Sequence, residues 1–277
     1  MQRLNVDAPG IPRTSVLDAG QGRATILIHG TSSSAEMGWA QLLPRLAAKR
    51  RCLAFDMVGA GQTEDPGGPI ALTTLVEQVR AVADLAGDGK PLDLIGYSLG
   101  AVVAAVAAAA MPDRVRRLIL LGGWVQSSRS MCVLFDLWAE LSRTDKHQLA
   151  RLLLVNGVSD TFFQANSTEA IQTALDRIAN LLSAGGDRQA ELDATIDIRA
   201  ELPRIRAQTL VIGMQQDRLV PPAHCRDLAA GIAGARYEQI DCGHLVTLEQ
   251  PGALLDLVES HLDSPTGHCH EERHGGA

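Results

Sequence analysis

Paired cysteines are missing from this chain. Its five (Cys52, Cys132, Cys225, Cys242 and Cys269) are odd in number and scattered, with no C-x-x-C among them. That pattern excludes a disulfide framework and leaves a reduced, intracellular chain as the expectation. Long apolar runs are missing too, since the longest, Ala101 to Met111, falls far short of the ~20 residues that span a bilayer. Met1 to Val16 has no apolar core of the kind a signal peptide needs. Blocks of like charge are absent, and a net charge of −7 offers no electrostatic footprint for nucleic acid or an anionic membrane. The expectation is an acidic cytoplasmic protein, monomer or homodimer, whose partner is a small molecule. Aromatic residues are few, and five of them (Trp124, Phe135, Trp138, Phe162 and Phe163) crowd into one stretch.

What is present is enough for a sizeable core. The 277 residues are 46% apolar and 21% charged, which suits one large α/β domain or two small ones. Short apolar runs read as buried strands at Ala24–Ile28, Cys52–Phe55, Leu92–Ile95, Val115–Leu121, Gln208–Gly213 and Arg236–Asp241. Between them lie helical patterns, such as Ala71–Ala86 with Leu72, Leu75, Val76, Val79 and Val82 as its stripe. This alternation predicts βαβ units and a mostly parallel sheet covered by helices on both faces. Residues 1–23 are poorly patterned, and Leu17 to Gly22 reads as a turn.

From Trp124 to about Ala200 the strand signal vanishes. Helical stripes replace it: Leu134, Leu137, Trp138 and Leu141, then Ile171, Leu175, Ile178 and Leu182. The expected organisation is a core of residues 1–123 and 201–262, an inserted helical cap of 124–200, and a disordered tail of 263–277. The tail histidines and cysteine (His268, Cys269, His270 and His274) suggest adventitious metal capture at most. A final helix is expected from about Thr247 to Leu262, with His147, His224 and His261 on solvated surface.

The chemistry centres on Gly96-Tyr97-Ser98-Leu99-Gly100, a Gly-x-Ser-x-Gly between the strand Leu92–Ile95 and an alanine-rich helix. A serine pinned on so tight a strand-to-helix turn is the nucleophile-elbow pattern, which lifts the hydroxyl clear of the sheet. A hydroxyl is a weak nucleophile, so it needs a base and a carboxylate to orient that base. Asp217 and His244 each follow a strand, which places them on the same sheet edge as Ser98 and in the order serine, acid, histidine. The Leu99 and Thr31 amides are candidate donors to an oxyanion. His29 is expected to support the loop that carries Thr31, and Asp56 to stabilise a Gly-x-Gly turn. Tyr97, Trp124, Phe135 and Trp138 are candidate walls of a substrate pocket. Cys242, two residues before His244, is a candidate reactive thiol. No cofactor or metal is implied.

These motifs together resemble the α/β-hydrolase superfamily. The resemblance covers roughly residues 20–262 and rests on Leu27-Ile28-His29-Gly30, Asp56-x-x-Gly59-x-Gly61, Gly96–Gly100, Asp217–Pro221, and Gly243-His244 followed by Glu249-x-Pro251. It implies an eight-stranded core with a helical cap. Met214 departs from the second glycine that relatives often carry before the acid. Leu99 stands where the perhydrolase-like branch has methionine, which argues against cofactor-free haloperoxidase chemistry. The expected activity is hydrolysis of an ester, lactone or thioester of a small apolar acyl compound. The alternatives are an esterase-like lyase, such as one eliminating acetate, or an acyltransferase in bacterial polyketide or natural-product biosynthesis. A ligand receptor on the same scaffold is a further alternative.

Overall fold

The structure, a computed structural model, describes residues 1–87 and 89–264. Eight strands form one sheet: β1 (Gln2–Val6), β2 (Thr14–Ala19), β3 (Ala24–Ile28), β4 (Arg51–Phe55), β5 (Leu92–Tyr97), β6 (Val115–Leu121), β7 (Gln208–Met214) and β8 (Arg236–Ile240). Their spatial order is β1-β2-β4-β3-β5-β6-β7-β8. From β4 onward the strands are parallel, while β1 and β2 extend one edge in antiparallel pairing. The fold is the expected mostly parallel eight-stranded α/β sheet.

Side chains on the inner strands alternate between two apolar layers, as a period of two requires. Ile26, Phe55, Leu94 and Leu118 point to one layer, and Leu27, Ala54, Ile95 and Ile119 to the other. Burial on both faces is why these strands read as unbroken apolar runs. The helices α1 (Ala35–Trp39) and α2 (Leu43–Ala47) follow β3 and cover the second layer with Trp39 and Leu46. The first layer is covered by α3 (Leu72–Leu85) and α4 (Leu99–Ala110), through Val79 and Val103. This change of side comes where the chain reverses its direction across the sheet, with β4 on one flank of β3 and β5 on the other. In such sheets that reversal opens a crevice at the carboxyl ends of the strands.

Five helices lie between β6 and β7: α5 (Arg129–Thr144), α6 (Lys146–Gly157), α7 (Asp160–Ala165), α8 (Thr168–Leu181) and α9 (Gly186–Asp193). A single bridge, Gln126 with Asp197, ties the two ends of this insertion together. Its apolar side chains merge with the first layer instead of forming a separate core. The inward face of α5 carries Met131, Phe135, Trp138 and Ala139, so the helix is turned by about one residue from the expected Leu134–Leu141 stripe. Leu137 is exposed in consequence. Then α10 (Pro222–Ala230) joins β7 to β8, and the chain closes with α11 (Val246–Glu249) and α12 (Pro251–Asp263). Pro251 lacks the N–H that a continuous closing helix would need, which splits the expected one in two.

Two further expectations are corrected. Residues 1–23 are two strands, not an unpatterned lead-in. β1 is an edge strand with most of its residues partly or fully exposed. β2 is wholly buried, yet Thr14, Ser15 and Asp18 interrupt its apolar pattern. Each of those polar groups has a partner: Gln78 donates to Thr14 Oγ1, Arg3 to Ser15 Oγ, and Arg51 forms a two-armed ion pair with Asp18. His261 is not on solvated surface either, for it is buried on α12 with Nε2 3.0 Å from the Gln208 carbonyl. The remaining expectation, the tail of 263–277 with His268, Cys269, His270 and His274, lies from residue 265 onward outside the described residues. Among the described residues no helix is long and apolar enough to cross a membrane.

Gly100 carries the closest contact between α4 and the sheet, where a methyl would lie 2.1 Å from the Ile28 carbonyl oxygen. Gly100→Ala is therefore expected to destabilise by about 3 kcal/mol and to lower Tm by roughly 6–12 °C in thermal unfolding. Gly252→Ala has nothing within 4 Å of the added methyl and is expected to shift stability by under ~1 kcal/mol. Burial holds His261 below the ordinary histidine range. The unfolded chain therefore takes up a proton below about pH 6.5 that the folded chain refuses, and stability present above that pH is lost as pH falls. His261→Gln retains an N–H for the Gln208 carbonyl. In paired urea titrations it is expected to lose less stability than the wild type between about pH 7 and pH 5.

Candidate active site

Ser98 sits between β5 and α4 at φ 57°, ψ −122°, a left-handed conformation that side chains other than glycine rarely adopt. The turn is tight because a methyl on Gly96 would meet the Gly100 carbonyl oxygen at 2.1 Å, just as one on Gly100 would meet that of Ile28. Glycine at both positions lets the backbone close, and Ser98 is left partly exposed at the carboxyl edge. Its own N–H is held by the Leu121 carbonyl at 2.8 Å. Leu99 is the first residue of α4, where helical geometry leaves an N–H with no acceptor inside the helix.

Asp217 follows β7 and is buried. Its Oδ1 accepts from the Leu219 and Val220 amides at 2.9 and 2.8 Å, and its Oδ2 lies 2.6 Å from His244 Nδ1. The carboxylate accepts the Nδ1 proton, so the neutral ring keeps Nε2 as its lone-pair nitrogen. Tyr97 stacks on this ring at 5.3 Å between centroids and 27° between planes, and its hydroxyl donates to the His244 carbonyl. Gly122, at φ 56°, also lies against the ring, where an added methyl would sit 3.0 Å from His244 Cε1. Glu249 fastens the histidine loop by accepting from the Gly243 amide at 2.8 Å and from the Ser159 amide at 3.1 Å.

The loop after β3 closes the third side. His29 is completely buried. Its Nε2 accepts from the Met57 amide at 3.0 Å, and its Nδ1 donates to the Gly30 carbonyl at 2.8 Å. Burial pushes His29 below the ordinary histidine range, in keeping with a neutral ring that uses both nitrogens to hold the loop. A methyl on Gly30 would lie 3.0 Å from Ser98 Cβ, which shows how closely this loop approaches the serine. Ser32, the only non-glycine residue besides Ser98 with positive φ among those described, continues the loop at φ 57°. Asp56 lies apart, accepting from the Ala35 and Gln62 amides and from Arg3.

Ser98, His244, Gly30 and Thr31 open onto one cavity of about 180 Å³. An engineered cavity of about 150 Å³ holds benzene, so there is room for a single ring or a short acyl chain. The walls are mostly apolar, with Trp138, Leu153, Ile178 and Leu182 from the insertion facing Tyr97 and Leu245. Of the four candidate walls, Trp138 and Tyr97 line this cavity. Trp124 and Phe135 do not, for they pack against each other at 5.6 Å behind the wall. The Trp124 ring is fully buried, with its N–H on Ser127. Cys242 is buried, and desolvation pushes its thiol up to about 12, so it is no reactive thiol. Among the described residues no group of three or more His, Cys, Asp or Glu side chains is arranged to hold a metal.

Two side chains beside this site carry no sequence signal, and a third carries one for its position only. Gln189 accepts from the Ser32 amide at 2.9 Å and donates to the Val58 carbonyl at 3.0 Å. Asp193, one turn further along α9, lies 2.5 Å from Thr31 Oγ1. Glu249 belongs to the Glu249-x-Pro251 motif, but its contact with Ser159 on the insertion exists only in three dimensions. A buried polar side chain on a helix reads in sequence like a solvated one.

A family model described as alpha/beta hydrolase fold matches residues 25–251. The chain is 35% identical over 262 residues, covering 94% of it and 98% of the relative, to a protein of Xenorhabdus hominickii named pyrrolizixenacetamide deacetylase. It is 30% identical over 266 residues, 92% of each chain, to a 2-hydroxymuconate semialdehyde hydrolase of a Pseudomonas species. Among solved structures it resembles an enol-lactonase of Burkholderia xenovorans, with TM-score 0.83, 25% identity, and 94% of this chain and 100% of the other covered. With the parallel sheet, the serine on its tight turn and the paired aspartate and histidine at one edge, these likenesses lead to one conclusion: the chain belongs to the alpha/beta hydrolase fold family and is an enzyme of it.

Proposed function

We propose that the protein is a serine hydrolase that removes a small, mostly apolar acyl group through an acyl-enzyme on Ser98. The observation that carries this reading is the Asp217–His244 pair opening onto the same small cavity as a serine strained at positive φ. His244 Nε2 takes the Ser98 proton as Oγ attacks the carbonyl carbon, then returns it to the leaving group. Asp217, fixed by two amides, holds the ring's tautomer and stabilises the imidazolium. The Leu99 and Thr31 amides receive the oxyanion, and a water activated by His244 then releases the acid.

The walls support the choice of substrate class. An apolar cavity of about 180 Å³ suits a short acyl chain or one ring of an ester, lactone or thioester. The likeness to a protein named a deacetylase adds an N-acetyl amide to that set. The inserted helices then act as a cap whose Trp138 and Ile178 set the acyl length. A second reading, hydrolysis of a carbon–carbon bond in a carboxylate substrate, is favoured by Arg177. This exposed cation of α8 stands at the cavity's rim, and one relative is named for a semialdehyde that carries a carboxylate.

Steady-state hydrolysis of aryl esters and N-acyl arylamides of increasing acyl length, from acetyl upward, tests both readings. Sustained turnover of short acyl groups is expected, with kcat falling roughly 10³-fold or more in Ser98→Ala. Asp217→Asn is expected to lower kcat by about 10⁴-fold with little change in KM. A Ser98→Ala variant as fast as wild type would remove the serine from its role. Turnover confined to carboxylate-bearing dienones, and lost in Arg177→Gln, would favour the second reading.

A further inference from the structure

Six acidic side chains are buried in the described structure, and five of them are supplied with donors. Asp18 and Asp93 each hold an arginine in two-armed contact, from Arg51 and Arg116. Asp56 takes two amides and Arg3, Asp217 takes two amides and His244, and Glu259 takes Arg45 and Lys49. Asp193 is the exception. Completely buried at the end of α9, it has one partner, Thr31 Oγ1 at 2.5 Å, and its Oδ1 has none. An ionised carboxylate in such a place needs a cation or several donors, and one hydroxyl does not suffice. The neutral acid needs far less, because its own O–H satisfies itself on a single acceptor.

Which group donates decides what Thr31 can do. A hydroxyl has one hydrogen and two lone pairs. If Thr31 donates to an ionised Asp193, its hydrogen points away from the cavity and is consumed. If a neutral Asp193 donates, a Thr31 lone pair accepts and the hydroxyl hydrogen is free. Thr31 lines the cavity with Ser98 and follows Gly30, where an added methyl would lie 3.0 Å from Ser98 Cβ.

We propose that Asp193 is a positioning residue held as the neutral acid, its Oδ2–H donating to Thr31 Oγ1, so that the Thr31 hydroxyl turns its own hydrogen to the carbonyl oxygen of the bound substrate. The proposal rests on Ser98 as the nucleophile. Burial pushes the Asp193 carboxyl well above the usual range, with the Thr31 contact acting against it only in second place. Gln189, four residues earlier on the same face of α9, holds the Ser32 amide and the Val58 carbonyl, so Asp193 meets a loop that is already fixed. The inserted helix thus contributes to the reaction by aiming a hydroxyl, without touching substrate itself.

Infrared spectroscopy and kinetics on the purified full chain test this. The wild type is expected to show the C=O stretch of a protonated, hydrogen-bonded carboxyl at neutral pH. Asp193→Asn should lack that band, and Thr31→Val should move it to higher frequency as the acid loses its acceptor. The second variant identifies the band even where the first fails to fold. On a short aryl ester, Thr31→Val is expected to lower kcat roughly 10- to 100-fold, with KM changed by less than about threefold, and Thr31→Ser to restore it. The double variant with Asp193→Asn should be no slower than Thr31→Val alone. A wild type without the band has an ionised Asp193, and the proposal is wrong. It is equally wrong if Thr31→Val keeps kcat within about twofold while Ser98→Ala abolishes turnover, an outcome that leaves the nucleophile standing. Turnover that survives Ser98→Ala overturns the nucleophile and the substrate-facing role of Thr31 together, while the band still reports the state of Asp193.

Discussion

The arrangement depends on one close approach of backbone, where the first turn of α4 lies against the end of β3. Gly100 meets the carbonyls of Ile28 and His29, and Gly96 meets the carbonyl of Gly100, at distances that no side chain permits. Because these two glycines allow α4 to descend so far, the residue between them is forced into a left-handed conformation, and Ser98 takes the strain. The same descent brings the loop of Gly30 and Thr31 against the serine. The strained serine and the loop beside it therefore follow from one packing constraint. Strain of this kind persists only where the structure around it over-determines it. Here four parallel strands and two apolar layers do so.

The second organising feature is the treatment of buried charge. Five of the six buried carboxyl groups among the described residues are supplied with amides or a guanidinium, and these links tie distant parts of the chain. Arg3 of β1 reaches Asp56 after β4, and Glu249 reaches Ser159 on the insertion. At the site this matters most for Asp217, whose second oxygen is already spoken for by two amides, so that His244 faces one defined acceptor. The imidazole is also packed on Tyr97, with its Cε1 edge close to Gly122.

The helical insertion joins these two features. It walls the cavity with Trp138, Leu153, Ile178 and Leu182, and it also grips the loop after β3 through Gln189, Asp193 and the Trp138 N–H on Ser32. A change in the insertion therefore reaches the loop beside the serine as well as the pocket. Its apolar side chains belong to the same cluster as one face of the sheet, which makes it continuous with the core in packing.

Much of this is legible in the sequence, for a physical reason. Strands buried on both faces must be apolar throughout, so β3 to β7 announce themselves. A turn that excludes every side chain must be glycine, so Gly96 and Gly100 mark Ser98. Residues that follow such strands fall on one edge, so the order Ser98, Asp217, His244 points to a shared site. Other features were decided only by the tertiary structure. β2 hides because its buried Thr14, Ser15 and Asp18 are satisfied by partners 12 to 64 residues away. The face α5 turns inward, and hence the choice of Trp138 over Trp124 and Phe135 as a wall, depends on how five helices settle on the sheet. Asp193 meets Thr31 across 162 residues. Local pattern records whether a residue avoids water or bends the chain, whereas the identity of a polar partner exists only once the chain has folded.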